Sequence, residues 1–376
     1  MSLPLSTLPT IPTPSPQSAP RSRTIRKVPF RVWLRKPLLF LFVFLITGEL
    51  ASRAILKIRK SPFWSRESVL YSFYPELRKS GVEEAASSKT DDTYDVLILG
   101  GSTISTAFGS VGMQLEAGLR QRLGRPVRVF NLAASAQNSR DSLLKYRRLS
   151  RQRFDLVVVY DGINDTRMNN APPGEFRDDY SHCIWYKHLN NLEKHPFVFQ
   201  AALPFTLSYV GNQIAWKLGL SWYVPARDAS ADCLEYGKNI RTKEPFRNHL
   251  REIVTSAKEH GTRVVLMTFS YHIPADYTLE GYWAKRLDYA NDIPSGCPVE
   301  LWGKPEYTVR ALEQHNEVLR DLAAQHPEVV FVDQELLLPR TGKCFRDCCH
   351  LTDEGCTLFA RNILVALEKS DLGSGR

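Results

Sequence analysis

Ser102, Asn164, Asp347 and His350 are residues of this chain whose types and spacing fit one piece of chemistry. Ser102 stands in Gly100-Gly101-Ser102-Thr103, after the apolar run Val96-Leu97-Ile98-Leu99, which reads as a buried strand. Asp347 and His350 lie near the C-terminus in Asp347-Cys348-Cys349-His350, just before Leu351-Thr352-Asp353-Glu354-Gly355 and a helix-like stretch. A hydroxyl nucleophile, an imidazole base and a carboxylate that orients the base are the groups acyl transfer needs. Asn164 falls in Asp161-Gly162-Ile163-Asn164-Asp165, after a second buried run, Leu156-Val157-Val158-Val159-Tyr160. Its side-chain amide is suited to donate to an oxyanion.

Positioning these groups takes a sheet. Short runs rich in Val, Leu and Ile at 95–99, 127–130, 155–160, 263–269 and 329–333 read as strands buried on both faces. Helical patterns at 110–123, 138–150, 246–260, 307–326 and 354–368 alternate with them. That alternation predicts a parallel five-stranded sheet covered on both sides, a three-layer α/β/α sandwich. Two stretches break it, 171–245 and 271–304, both rich in aromatics or prolines. Each leaves the C-terminal end of a strand, where such sheets place their binding crevices. They are expected to be substrate-facing insertions, the bland alternative being that their aromatics close a subsidiary core. No internal repeat is visible.

Four blocks now stand in order: Gly100-Gly101-Ser102, Asn131-Leu132-Ala133-Ala134-Ser135-Ala136, Gly162-Ile163-Asn164-Asp165, and Asp347 to His350. In this the chain resembles the SGNH (GDSL-type) hydrolases over about 95–170 and 245–370. The resemblance implies an SGNH/flavodoxin-like fold and ester cleavage by Ser102 as nucleophile, His350 as base and Asp347 as its orienter. The oxyanion hole would comprise the Ser102 and Ala136 backbone N–H groups and the Asn164 amide. Two positions depart from the pattern. Gly101 stands where an Asp is usual, and Ala136 where a Gly is usual, so its Cβ must not push the loop out of place.

Blander readings exist for each residue. Ser102 fits a helix N-cap. Asn164 opens an Asn-x-Thr sequon with Thr166. Asp347 and His350 fit a surface pair, and Asp161 and Asp165 fit turn positions. The cluster Cys344, Cys348, Cys349, His350 and Cys356 invites a zinc reading, but C-x3-C-C-H-x5-C matches no paired CxxC knuckle. No metal and no organic cofactor is expected. The glycines at 100–101 are not a phosphate loop, because no Lys follows at the required spacing.

The net charge of +9 is unevenly placed. Residues 1–60 hold eleven Lys/Arg against one acid, Glu49, whereas the rest balances 38 bases with 39 acids. A neutral body argues against a nucleic-acid partner. Residues 1–36 read as a basic, disordered, cytosolic tail, rich in Pro, Ser and Thr at its start. Residues 37–58 read as an uncleaved transmembrane signal-anchor starting at Pro37, with Glu49 and Arg53 spaced to pair on one helix face. A cleaved signal peptide is the alternative; a long basic lead and the lack of a small-x-small site speak against it. Seven bases before the apolar run and four after it put the N-terminus in the cytosol. Residues 59–93 would be a linker and 94–370 the hydrolase-like domain, periplasmic or extracellular. Seven cysteines fit an exported body with disulfides whose pairing stays open.

The reading is a membrane-anchored serine esterase acting on O-acyl esters of carbohydrate or lipid, O-acetyl esters among them. The alternatives are an O-acyltransferase on cell-surface glycans and a non-catalytic binding or assembly subunit with the same fold.

Overall fold

The computed structural model describes residues 30–58, 61–85, 92–149, 151–225, 229–292 and 296–370, with backbone alone for 30–34. Most of the expected tail lies outside them. The chain forms two compact units, Met1–Gly48 and Glu49–Arg376.

Helix α1 runs from Phe30 to Ile58, so it begins before the expected Pro37, which lies inside it. Phe30 to Lys36 contains no helix breaker, and a proline removes only one backbone donor. Its 24-residue stretch Arg35–Ile58, with an 18-residue window of mean hydropathy 1.9, is long and apolar enough to cross a membrane.

In the second unit, five strands form the expected parallel sheet: β1 (Tyr94–Gly100), β2 (Val127–Asn131), β3 (Leu156–Tyr160), β4 (Arg263–Met267) and β5 (Val330–Val332). Their order is β2-β1-β3-β4-β5, every neighbouring pair parallel. Every β1 residue is buried, because alternate side chains enter two separate cores. Leu97, Leu99, Val157 and Val159 join one core, and Val96, Ile98, Val158 and Tyr160 the other. Helices α2 (Val111–Leu123) and α8 (Asp353–Lys369) pack together on one face. Helices α3 (Ser139–Leu149), α6 (Lys243–Glu259) and α7 (Pro305–Gln325) cover the other. The chain leaves β1 for β2 on one side and returns to β3 on the other. The crevice above the ends of β1 and β3 is therefore the switch point of the sheet.

Residues 61–85, expected within a linker, instead form three short helices, Ser68–Phe73, Pro75–Lys79 and Val82–Ala85. Val69, Phe73, Tyr74 and Leu77 are buried in the first core. An apolar residue every three or four positions made this segment a packing element. The first insertion carries α4 (Ile184–Lys194) and α5 (Ala202–Lys217). Glu49 pairs with Arg53 at 2.7 Å, as their spacing predicts. The Glu49 carboxylate also accepts from the backbone N–H groups of Ala202 and Leu203, which caps the first turn of α5.

Candidate active site

β1 ends at Gly100, and Ser102 opens a short 3₁₀ turn, Ser102–Ile104, rather than the long helix, which begins only at Val111. The Asn131 amide at the end of β2 donates to Ile104 O at 2.8 Å and pins this turn. Ser102 Oγ lies 2.8 Å from His350 Nε2. The other ring nitrogen, Nδ1, lies 2.8 Å from Asp347 Oδ2 and 3.0 Å from Oδ1. With its proton on Nδ1, the imidazole donates to the carboxylate, and its free Nε2 accepts from the Ser102 hydroxyl. This is the geometry of a general base poised on a nucleophile.

Asp347 is fixed in turn by the backbone N–H groups of Cys349 and His350, which donate to Oδ1 at 2.9 and 2.8 Å. Phe108 stacks on the imidazole with centroids 4.5 Å apart. Ser102 is 6% exposed and His350 2%. Burial pushes the His350 imidazolium pKa down. Cys349 and the Asp347 carboxylate push it up and prevail, so it lies above the ordinary histidine value. Burial first of all lifts the Cys349 thiol well above its usual range, which leaves it uncharged near neutrality. The carboxylate therefore carries the His350 shift.

The loop after β2 brings Ala136 to the same place. Its φ is +61°, the left-handed region a glycine would adopt freely. Ala136 keeps this conformation despite its Cβ and carries the strain. Ala136→Gly should therefore raise stability by about 0.5–1 kcal/mol, the left-handed strain relieved less the added chain entropy. Thermal melting reads this, and a lower melting temperature would contradict it.

Asn164 follows β3 and its amide is held at both ends. Nδ2 donates to Gln137 O at 2.7 Å, and Oδ1 accepts from Trp302 Nε1 at 2.7 Å. The indole fixes which way the amide faces and leaves the second Nδ2 hydrogen available to donate. An engaged Nδ2 also speaks against the sequon reading. Gly101 now has a reason: a Cβ there would stand 2.8 Å from Asn164 Nδ2 and 3.0 Å from Gln137 O. Glycine admits this close approach without a shift of either neighbour.

Trp302 was not singled out as a site residue, since nothing local marks an indole from the second insertion as a partner of Asn164. Trp302→Phe keeps the ring and removes the N–H. It should lower kcat by about tenfold with KM little changed, because only the developing oxyanion senses the loosened amide. A rise in KM alone would make Trp302 a binding residue instead.

Lys145 was missed as well. Its side chain is fully buried, and Nζ donates to Leu132 O, to Gln137 Oε1, and to Glu76 Oε1 at 3.1 Å. Glu76, from the former linker, also accepts from Gln137 Nε2 at 2.7 Å. Lys145 and Glu76 thus clamp the loop that carries Ala136. Asp161 and Asp165, expected as turn residues, are fully buried. Burial, with the Asp165 charge next, pushes Asp161 up to about 8, and burial pushes Asp165 up to about 7. Asp165 accepts from Ser139 N, Ser139 Oγ and Tyr180 Oη, tying this loop to the first insertion.

The seven cysteines are all free, so the expected disulfides are not formed. The His350 loop is held by backbone pairing instead: Phe345 bridges Leu351, and Arg346 N donates to His350 O at 2.7 Å. Cys297, Asp347 and His350 place possible metal-binding atoms within 4.8 Å of one another. Both nitrogens of His350 already face Asp347 and Ser102, so an ion there would displace the base.

A model of the GDSL-like Lipase/Acylhydrolase family matches residues 98–358, most of the chain and all four blocks. The chain belongs to this family. This GDSL-like acylhydrolase is an ester hydrolase of the SGNH type. No curated protein sequence matches it. Among solved structures it is similar to an acetylxylan esterase from Geobacillus stearothermophilus, at 16% identity and a TM-score of 0.40, covering 73% of this chain and 94% of that one. It is also similar to a lipase/acylhydrolase from Enterococcus faecalis, at 13% identity and a TM-score of 0.38, covering 73% and 96%.

Proposed function

We propose that this GDSL-like acylhydrolase is a membrane-anchored serine esterase that cleaves O-acyl esters of carbohydrate or lipid through an acyl-Ser102 intermediate. The observation that carries the reading is the hydrogen-bonded line from Ser102 through His350 to Asp347, with Asn164 beside it. Ser102 Oγ attacks the ester carbonyl carbon while His350 Nε2 takes the hydroxyl proton. The oxyanion is held by the Asn164 amide and the Ser102 and Ala136 N–H groups. The tetrahedral adduct collapses, the C–O bond to the alcohol breaks, and His350 returns its proton to the departing oxygen. Water, deprotonated by His350, then releases the acid and restores Ser102.

The long apolar stretch of α1 supports a signal-anchor, and the excess of bases before it supports a cytosolic N-terminus and an exoplasmic body. Acylated surface polysaccharide and acylated lipid are the substrate classes to try. The low exposure of Ser102 and His350 also favours a second reading, in which a sugar hydroxyl replaces water and the enzyme is an O-acyltransferase.

The test is hydrolysis of p-nitrophenyl acetate by full-length protein from carbonate-washed membranes, with and without an acceptor sugar. Release of nitrophenol with free acid supports the esterase, and an acylated sugar supports the transferase. A folded protein that does neither, or one found only in the carbonate wash, overturns the corresponding half of the proposal.

A further inference from the structure

A cavity of about 400 Å³ opens beside the oxyanion loop, a volume typical of small-molecule sites. Ala136 and Asn164 form one wall, and Trp185, Tyr186, Trp216 and Val224 of the first insertion form much of the rest. We propose that this cavity binds the acyl chain of the substrate and that the chain is an extended apolar one, longer than acetyl. The proposal rests on the esterase reading above and names the substrate class of that site.

The first argument is direction. The leaving alcohol must point toward His350, which protonates it. The lining includes neither His350 nor Phe108 stacked on it, but does include the residues that hold the oxyanion. A group in the cavity thus extends from the carbonyl carbon on the acyl side. Asn164 bridges the two places: its Nδ2 lies 2.8 Å from where a Cβ on Gly101 would stand, one residue from the nucleophile.

The second argument is chemistry. The walls are aromatic, and the polar tips of three of these rings are occupied. Trp185 Nε1 and Tyr186 Oη both donate to Asp141, at 3.1 and 2.6 Å. Tyr223 Oη donates to Asn212 Oδ1 at 3.3 Å, and the Arg167 guanidinium donates to Pro225 O at 2.9 Å. The cavity is therefore offered mostly rings and aliphatic carbon, with Gln213 and Ser135 among its remaining polar side chains. A sugar ring would find few free partners for its hydroxyls, and burying them unpaired is costly. A polymethylene chain needs none, and gains with each methylene it buries.

The experiment uses the full-length chain in lipid nanodiscs with p-nitrophenyl acetate, butyrate and octanoate. It includes Ile184→Phe, which narrows the cavity from a half-buried lining position. The wild type should gain up to about fourfold in kcat/KM per added methylene. The variant should lose that slope while its rate on acetate is unchanged. A flat or falling slope in a wild type that does hydrolyse acetate would overturn the proposal, as would a slope that survives in Ile184→Phe. Decanoate titration of the Ser102→Ala chain gives a readout free of catalysis, through the fluorescence of Trp185 and Trp216. Binding without hydrolysis of any ester by the wild type keeps the acyl cavity and sinks the esterase reading. Neither binding nor hydrolysis sinks both.

Discussion

Replacing Ser102 by alanine should cut kcat on p-nitrophenyl acetate by a factor on the order of 10⁴–10⁶ and leave the melting temperature nearly unchanged. The hydroxyl bonds to His350 Nε2, so little of the fold depends on it. His350→Ala should cost about as much, and the double variant hardly more, because nucleophile and base act as one unit. What remains would come from the oxyanion donors alone. Ester hydrolysis by purified variants, beside a melt of each, reads the result. A Ser102→Ala protein that stays within tenfold of the wild type would remove Ser102 from the chemistry.

The second large effect is expected at Asp347. Asp347→Asn keeps the shape of the side chain but replaces an acceptor with a group able to offer N–H to Nδ1. The ring then carries its proton on Nε2, facing Ser102, where it is useless as a base. A fall in kcat of about 10⁴ follows.

The change should also be visible in the pH profile. The wild-type carboxylate holds the imidazole pKa above the ordinary value near 6.5. Below its raised pKa the ring is protonated and idle, so kcat/KM should climb as pH rises through that value. In Asp347→Asn the cause is gone, and the rising limb should move toward lower pH. Linkage gives the matching sign for stability. The charged pair stabilises the fold fully below the unfolded histidine pKa, and that part is lost as pH rises through the folded one. A pH profile identical in wild type and Asp347→Asn would show that the carboxylate does not set the base.

The sheet and the order of the chemical groups were legible before any coordinates. Continuous Val/Leu/Ile runs place β1 to β5 because a strand buried on both faces must be apolar throughout, and such runs carry their meaning locally. Ser102, Asn164 and the Asp347/His350 pair follow strands or precede a helix, so chain position alone brings them to one edge of a parallel sheet. The Glu49–Arg53 pair was legible for the same reason, being a matter of one helix turn.

What was not legible depends on partners remote in sequence. Residues 61–85 lack a strand pattern and read as a linker, yet Tyr74 donates to Asp141 and Glu76 holds Lys145 from 69 positions away. Trp302 orients Asn164 across 138 residues. Asp161 and Asp165 look like turn residues because Asp favours turns, and only tertiary packing, with Ser139 and Tyr180 against Asp165, buries them. Ala136 holds a glycine's backbone conformation because Lys145 clamps its loop, a balance of strain against hydrogen bonds that no single residue reveals. The sequence by itself determined the strands, the order of the four blocks and the apolar α1 stretch, since each depends on local periodicity and residue type. Tertiary structure alone decided the orientation of the Asn164 amide, the support beneath it and the cavity beside it, since these arise where side chains far apart in the chain are desolvated together.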